Sequence, residues 1–240
     1  MSHREARFAT TRWTLVWQAA HEDAQAARPA LTELMQRYWY PLYGFARRRG
    51  LTREDAEDAT QEFLGKLVQG DLIGAADPSK GRFRSFLLVA WKRFLTDIYR
   101  KEQTIRRGGQ RPHLSLDFDA GEQKWLAVAA TEDDADRTFL QSWAESLLAE
   151  VRGRLQASYD ARGRGAIFAE LMPRLTQPME RRDYEDLAER LAISPSSVKV
   201  ALHRLLQRFG QTLREVVHET LDDPAEIDQE ISDLLSVLGR

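Results

Sequence analysis

The chain has 240 residues, which is enough for one large domain or two small ones. Its 35 Lys and Arg residues nearly balance 37 Asp and Glu residues, so the net charge of -2 does not mark the whole chain as a binder of nucleic acid or membrane surfaces. The absence of cysteine excludes disulfides, thiolate zinc sites and cysteine nucleophiles. No apolar run approaches the roughly 20 residues of a membrane-spanning helix, so we expect a cytoplasmic protein without membrane insertion.

Apolar residues recur every three or four positions and nowhere alternate over a long stretch, which predicts an all-α fold. The first expected helix is short and covers Trp13–Trp17. A longer helix follows, kinked near its end by Pro41. Its apolar face is Leu31, Leu34, Met35, Tyr38 and Leu42.

The next helix is expected to start at Thr52, because Thr52 and Asp55 have the spacing of a capping box. One side of it is apolar, with Ala56, Ala59, Phe63 and Leu67. The other side is acidic, with Glu54, Asp55, Glu57, Asp58, Gln61 and Glu62. Such a face repels DNA, so it is either solvated or binds a basic protein surface.

A fourth helix is expected from about Ser85, inside a strongly basic segment. Lys80 to Arg111 contains ten Lys or Arg against Asp97 and Glu102, a local excess of ten minus two, or +8. Aromatic residues are interleaved with the basic ones, a pattern that suits phosphate binding and stacking on unpaired bases of DNA or RNA. Helical spacing assigns Trp91 and Phe94 to the core and leaves Phe83 and Phe86 as the stacking candidates.

Between Asp117 and Asp136 there are seven acids and one base, Lys124, which is typical of a linker. The sequence therefore predicts two small helical domains, 1–112 and 138–214, joined by an acidic linker, 113–137, and followed by an extension, 215–240. The extension carries eight acids against one Arg, so we do not expect it to bind DNA. Its helix starts at Asp223 and Pro224 and has an apolar side formed by Ile227, Ile231, Leu234, Leu235 and Leu238. We expect this side to pack on the helix's own domain, and the alternatives are that the helix covers the second domain or binds a regulator.

A helix-turn-helix is predicted between Arg182 and Phe209. Small Ala188 lets the two helices cross closely, and Ser194 with Pro195 defines the start of the second helix. The second helix presents Ser196, Ser197, Lys199, Val200, His203 and Arg204 on its exposed face. Short polar groups near the N-terminus with bases further along suit a reader of the major groove, whereas the alternative is an ordinary helical hairpin with a solvated basic face.

We find no constellation for catalysis. The five histidines are scattered, and no phosphate-binding glycine loop, metal-ligand spacing or nucleophile elbow is present. We therefore expect a protein that is not an enzyme and uses neither a cofactor nor a metal.

An acidic helix, a basic aromatic-bearing helix, an acidic linker and a C-terminal helix-turn-helix, in this order, resemble bacterial RNA polymerase sigma factors of the extracytoplasmic-function (ECF) type. The resemblance extends from Leu31 to Leu213. The matching stretches are RYWYPLYGFA at 37–46, EDAEDATQEF at 54–63, GRFRSFL at 81–87, DIYR at 97–100, YEDLA at 184–188 and Val198-Lys199.

The resemblance implies roles for three sets of residues. The clamp helices of the beta-prime subunit of core RNA polymerase would be bound by Asp55, Asp58, Gln61 and Glu62. The minus-ten element of promoter DNA would be bound by Lys80, Arg82, Phe83, Arg84, Lys92, Arg93 and Arg100. The first four lie in the loop from Asp77 to Arg84, which would capture a flipped base, and the other three lie on the next helix and would hold the adjacent duplex. The minus-thirty-five element would be read by Ser196, Ser197, Lys199, His203 and Arg204.

The resemblance further implies binding to the beta flap of the polymerase, passage of the acidic linker through its nucleic-acid channel, and transcription initiation as the function. An anti-sigma factor or a Ser/Thr kinase acting at Thr60 is implied as a regulator, whereas the position of Thr60 near the apolar edge of its helix favours packing over phosphorylation. Two alternatives remain open. One is a stand-alone helix-turn-helix regulator that binds a palindromic site, and the other is an adaptor that uses the acidic helix and the C-terminal helix to bind proteins.

Overall fold

The computed structural model describes residues 24–69, 72, 82–102, 116–129, 134–221 and 223–239, and these residues form helices and no strand. The expected all-α class is confirmed for them, whereas the helix expected at Trp13–Trp17 lies outside them. The helices are α1 (Ala24–Arg48), α2 (Arg53–Val68), α3 (Phe83–Glu102), α4 (Phe118–Val128), α5 (Ala135–Asp160), α6 (Gly165–Leu171), α7 (Arg181–Leu191), α8 (Pro195–His218) and α9 (Ile227–Leu238). Within these ranges no helix is both long and apolar enough to cross a membrane.

The chain forms two compact units. The first comprises Met1–Ser146 together with His218–Arg240, and the second comprises Leu147–Val217. These boundaries differ from the predicted ones, because the stretch expected to be a linker and the helix of the C-terminal extension both belong to the first unit.

The core of the first unit is rich in aromatic rings from α1, α2 and α3. Tyr38 of α1 meets Phe83 of α3 edge to face at 5.5 Å between ring centroids, and Phe63 of α2 lies 4.9 Å from Trp91 of α3. All four side chains are buried. Helix α1 continues through Pro41 to Arg48, so the residues after the proline also contribute to this core.

The starts of α2 and α3 follow from local hydrogen bonding. The Thr52 hydroxyl accepts a hydrogen bond from the Asp55 backbone N–H (3.1 Å) and donates one to the Asp55 carboxylate (2.7 Å), as the sequence predicted. Helix α3 begins at Phe83, slightly before the expected start near Ser85, and the Arg82 carbonyl accepts from the Ser85 and Phe86 backbone N–H groups.

The predicted linker contains helix α4, which packs on α1. Asp117 caps this helix by accepting from the Ala120 N–H (3.0 Å), and Phe118 meets Trp39 of α1 at 5.4 Å between centroids. Gly121 permits the close approach, because a Cβ there would lie 2.8 Å from the Trp39 ring. The interpretation of 113–137 as a linker is therefore corrected for its described residues, since apolar packing against α1 outweighs the acidic composition.

In the second unit, α7 and α8 are joined by a short turn. Glu180 and Asp183 form a capping box at the start of α7, and Ser194 caps α8 by accepting from the Ser197 N–H at 3.1 Å. Between the helices, Ala192 adopts a left-handed conformation with φ of 52°. Leu187, Ala188, Val198 and Leu205 are buried, as their spacing predicts. Leu206, which the same spacing places on the buried side of α8, is 52% exposed, so that expectation is wrong.

Helix α9 follows a short 3-10 helix, Pro224–Glu226, in which Asp223 accepts a hydrogen bond from the Ala225 N–H at 2.8 Å. Leu234 is buried, in agreement with the expected apolar face, whereas Leu235 is 55% exposed and does not belong to that face.

Candidate functional site

The acidic face of α2 is present at the protein surface. Asp55 and Asp58 are exposed, and Gln61 and Glu62 are half-buried. Glu62 pairs with Lys66 at 3.0 Å, and Asp55 also holds the helix cap. Positions 55, 58 and 62 repeat at helical spacing, so their carboxylates form one negative ridge that suits a basic protein surface.

Thr60 lies on the opposite, apolar side of the same helix. Its side chain is fully buried, and its hydroxyl donates to the Ala56 carbonyl at 2.7 Å. The hydroxyl is therefore inaccessible to a kinase in this structure, which fits packing rather than modification.

Helix α3 carries three of the predicted minus-ten residues on its exposed surface: Lys92, Arg93 and Arg100. The Lys92 ammonium lies 2.5 Å from the Asp136 carboxylate, with about half of each side chain exposed. Exposed ion pairs of this kind contribute little free energy, so a phosphate could replace Asp136 as the partner of Lys92.

Arg82 and Arg84, at the start of α3, are covered by helix α9. Arg82 Nη1 lies 2.7 Å from Asp233 Oδ2 and 2.6 Å from Glu230 Oε2, and the Arg84 guanidinium pairs with Glu230 Oε1. The Arg84 guanidinium also stacks on Trp143, 4.4 Å from the ring centroid. Burial, reinforced by the neighbouring Arg82 charge, lowers the pKa of Arg84 to about 10, which leaves it charged at neutral pH.

The structure does not place Phe83 where base stacking requires it. Its ring is 1% exposed and packs against Tyr38, so it is a core residue, and the expectation that it contacts DNA is corrected for this structure. Phe86, the other stacking candidate, is half-buried. Lys80 lies outside the described residues.

The five predicted minus-thirty-five residues lie together on α8. Ser196, Ser197, Lys199, His203 and Arg204 are all exposed. Val198 and Leu205 anchor the opposite side of the helix in the core, so this polar and basic side faces outward. The Lys199 ammonium lies 5.0 Å from the Tyr184 ring centroid, which holds it beside α7.

An arginine-lined pocket that the sequence did not predict lies next to this surface. The pocket has a volume of about 580 Å³. Arg162, Arg164, Arg204 and Arg208 line it together with Ser196 and Ser197. The one feature of the sequence that points to this pocket is the high density of arginines between Arg152 and Arg164. Guanidinium groups around an open pocket suit phosphate, because each can donate two hydrogen bonds to it.

Comparisons with models of protein families, with curated proteins and with solved structures found no match to this chain.

Proposed function

We propose that this protein is a sigma-type initiation factor that binds core RNA polymerase and directs promoter recognition, melting and transcription initiation. A factor of this kind has no active site of its own and acts through the polymerase. The acidic ridge of α2 binds the beta-prime clamp helices, the basic residues of α3 bind the minus-ten region, and α8 reads the minus-thirty-five region.

The observation that carries this proposal is the outward face of α8. Its polar and basic side chains are all exposed, and the helix is held by a serine cap at one end and by Val198 and Leu205 underneath. A rigid helix with these groups can enter a major groove as the second helix of a helix-turn-helix. The adjacent arginine-lined pocket supports this assignment, because phosphate contacts orient a recognition helix on the duplex.

The α2 ridge supports the polymerase-binding part of the proposal. A surface with exposed Asp55 and Asp58 repels DNA, so it is suited to protein binding. A factor with a net charge of -2 is also expected to bind duplex DNA weakly by itself and specifically only when the polymerase holds it on the promoter.

The test is run-off transcription from fragmented genomic DNA with purified core polymerase and the full chain, followed by sequencing of the transcript starts. We expect transcripts whose upstream regions share two elements at fixed spacings. A chain that neither associates with core polymerase nor yields transcripts contradicts the proposal.

A stand-alone regulator is the second candidate, because Arg82 and Arg84 are covered while the α8 face is open. It predicts tight, sequence-specific binding of the isolated chain to a palindromic duplex. Selection of binding sites from random duplexes distinguishes the two candidates, since the sigma-type factor requires core polymerase for specific binding.

A further inference from the structure

The centre of the contact between α9 and the start of α3 consists of carboxylates of α9 paired with guanidinium groups. Glu230 lies between two guanidinium groups, with Oε2 facing Arg82 and Oε1 facing Arg84. Asp233 adds a hydrogen bond from Arg82 at 2.7 Å, and Glu226 lies 4.0 Å from the same side chain. These three carboxylates recur at helical spacing, so one side of the C-terminal segment faces the two arginines.

Because this contact is buried, the arginines cannot bind α9 and an external anion at the same time. Glu230 is 1% exposed, and the side chains of Arg84 and Arg82 are 11% and 24% exposed. A buried carboxylate is tolerated only while cations compensate its charge, because an unpaired buried charge costs several kcal/mol. If an external anion bound the two guanidinium groups while α9 stayed docked, the Glu230 carboxylate would remain buried without a compensating cation. The anion and α9 therefore cannot occupy the arginines together.

The covered position is intrinsically an anion site. Arg82 immediately precedes α3 and Arg84 lies in its first turn, where the positive end of the helix dipole adds to both charges. Two cations so placed repel each other and bind an anion well. Asp233 shows this stabilisation of negative charge, because its hydrogen bond with Arg82 lowers the pKa of the Asp233 carboxyl below its ordinary value.

We propose that α9 is an internal competitor of DNA: Glu230 and Asp233 occupy Arg82 and Arg84, and these arginines bind the phosphates of a DNA strand only when α9 leaves. The inference rests on the proposed function for the identification of DNA as the polyanion. Coupling of this kind is reciprocal, so whatever draws α9 away strengthens DNA binding, and DNA in turn weakens the docking of α9.

The test measures the affinity of the full chain for a single-stranded DNA oligonucleotide by fluorescence anisotropy at several salt concentrations. We expect Glu230→Gln to bind about tenfold more tightly than the wild type at low salt, because loss of this charge weakens the docking of α9 and lets DNA displace Asp233 as well, so that two phosphate contacts become available. The slope of log K against log salt should steepen by about 1.4, at about 0.7 for each contact with a single strand. Asp228→Asn is the matched control, since it removes one exposed acid from the same helix, and it should bind as the wild type does.

A second pair of variants assigns the effect to the arginines. Glu230→Gln combined with Arg82→Gln should lose most of the gain, and a deletion of 223–240 should show the same gain as Glu230→Gln. The deletion also replaces the point variant as the test if circular dichroism shows Glu230→Gln to be unfolded. Unchanged binding of the deletion, or a gain that Arg82→Gln does not reverse, overturns the inference.

These outcomes are independent of the proposed function, because the oligonucleotide assay contains no polymerase. If the chain supports promoter-specific transcription while the deletion binds DNA as the wild type does, the inference fails and the function stands. If the deletion gains affinity through Arg82 while the chain does not bind core polymerase, the internal competition stands and the sigma-type function fails.

Discussion

Arg47 and Glu122, 75 positions apart, form a two-point ion pair in which Nη2 lies 2.9 Å from Oε1 and Nε lies 3.2 Å from Oε2. The Tyr43 hydroxyl donates a hydrogen bond to the same carboxylate, and the two ion-pair side chains are largely buried, 17% and 11% exposed. This cluster fixes α4 to α1 through charge as well as through the packing of Phe118 on Trp39.

Glu122→Gln should destabilise the first unit. Loss of the charge leaves the Arg47 guanidinium poorly compensated, and breaking such a pair costs about 3 kcal/mol of unfolding free energy. Urea denaturation followed by circular dichroism measures this loss. Asp119→Asn on the same helix is the control, because its side chain is 88% exposed and should leave the urea midpoint unchanged. Equal midpoints for Glu122→Gln and the wild type would show that the pair does not hold α4.

The stability of the first unit should fall at alkaline pH. Burial, and then the hydrogen bond to Glu122, raise the pKa of Tyr43 above its ordinary value of 10.0. The folded protein therefore holds this proton more tightly than the unfolded chain, so the contribution is complete below pH 10 and is lost as the pH rises through the raised folded-state pKa.

Comparison of urea midpoints at neutral and strongly alkaline pH measures this loss. Tyr43→Phe should lower stability by about 1 to 2 kcal/mol at neutral pH, because Glu122 loses a hydrogen-bond donor. The same variant should lose less stability than the wild type on going to alkaline pH. Tyr99→Phe, at a side chain that is 68% exposed, should behave as the wild type. An alkaline loss identical in Tyr43→Phe and the wild type would contradict the assignment.

Ala192→Gly should stabilise the second unit. Ala192 has φ of 52°, a region that costs a residue with a Cβ about 1 to 2 kcal/mol and costs glycine almost nothing. After the greater chain entropy of glycine is subtracted, we expect a gain of about 0.5 to 1 kcal/mol. Thermal unfolding measures it. Ala149→Gly, at an exposed interior position of α5, is the opposite case and should cost about 1 kcal/mol.

Arg162→Gln should weaken duplex binding without changing sequence preference. If the arginine-lined pocket holds a backbone phosphate, the slope of log K against log salt should become shallower by about 0.9. The measurement uses the polymerase-bound protein on promoter duplexes of different sequence, and the loss should be uniform among them. Arg152→Gln removes an exposed arginine that does not line the pocket, and it should change neither the affinity for duplex DNA nor the slope of log K against log salt. A loss that depended on base sequence would assign Arg162 to base recognition instead.

The features that the sequence predicts well are local ones. Thr52 and Ser194 cap their helices as expected, because the side chain and the backbone N–H that it satisfies are only three residues apart. Apolar periodicity also predicts the buried Leu187, Ala188, Val198 and Leu205 of α7 and α8, but not the exposure of Leu206. The same apolar periodicity predicts that Asp55, Asp58 and the polar side of α8 are exposed.

Distant partners explain what the sequence did not reveal. The acids of 113–137 suggested a solvated segment, yet the charge of Glu122 is compensated by Arg47. Phe83 is buried rather than exposed because its ring packs against Tyr38 of α1. A usable signal was present in Phe118, Gly121 and Trp125, whose spacing marks a buried helical side. The contact of Glu230 with Arg82 and Arg84 joins two segments of the first unit that are far apart in the sequence, so no local pattern predicts it.

A sigma-type factor must associate stoichiometrically with core RNA polymerase. Size-exclusion chromatography of core polymerase with the wild type, Asp58→Lys and Glu215→Lys compares charge reversal on the α2 ridge with the same reversal at an exposed position of α8. We predict that the wild type and Glu215→Lys elute with the polymerase and that Asp58→Lys does not. Failure of the wild type to bind, or equal binding of all three proteins, would contradict a sigma-type factor that uses this ridge.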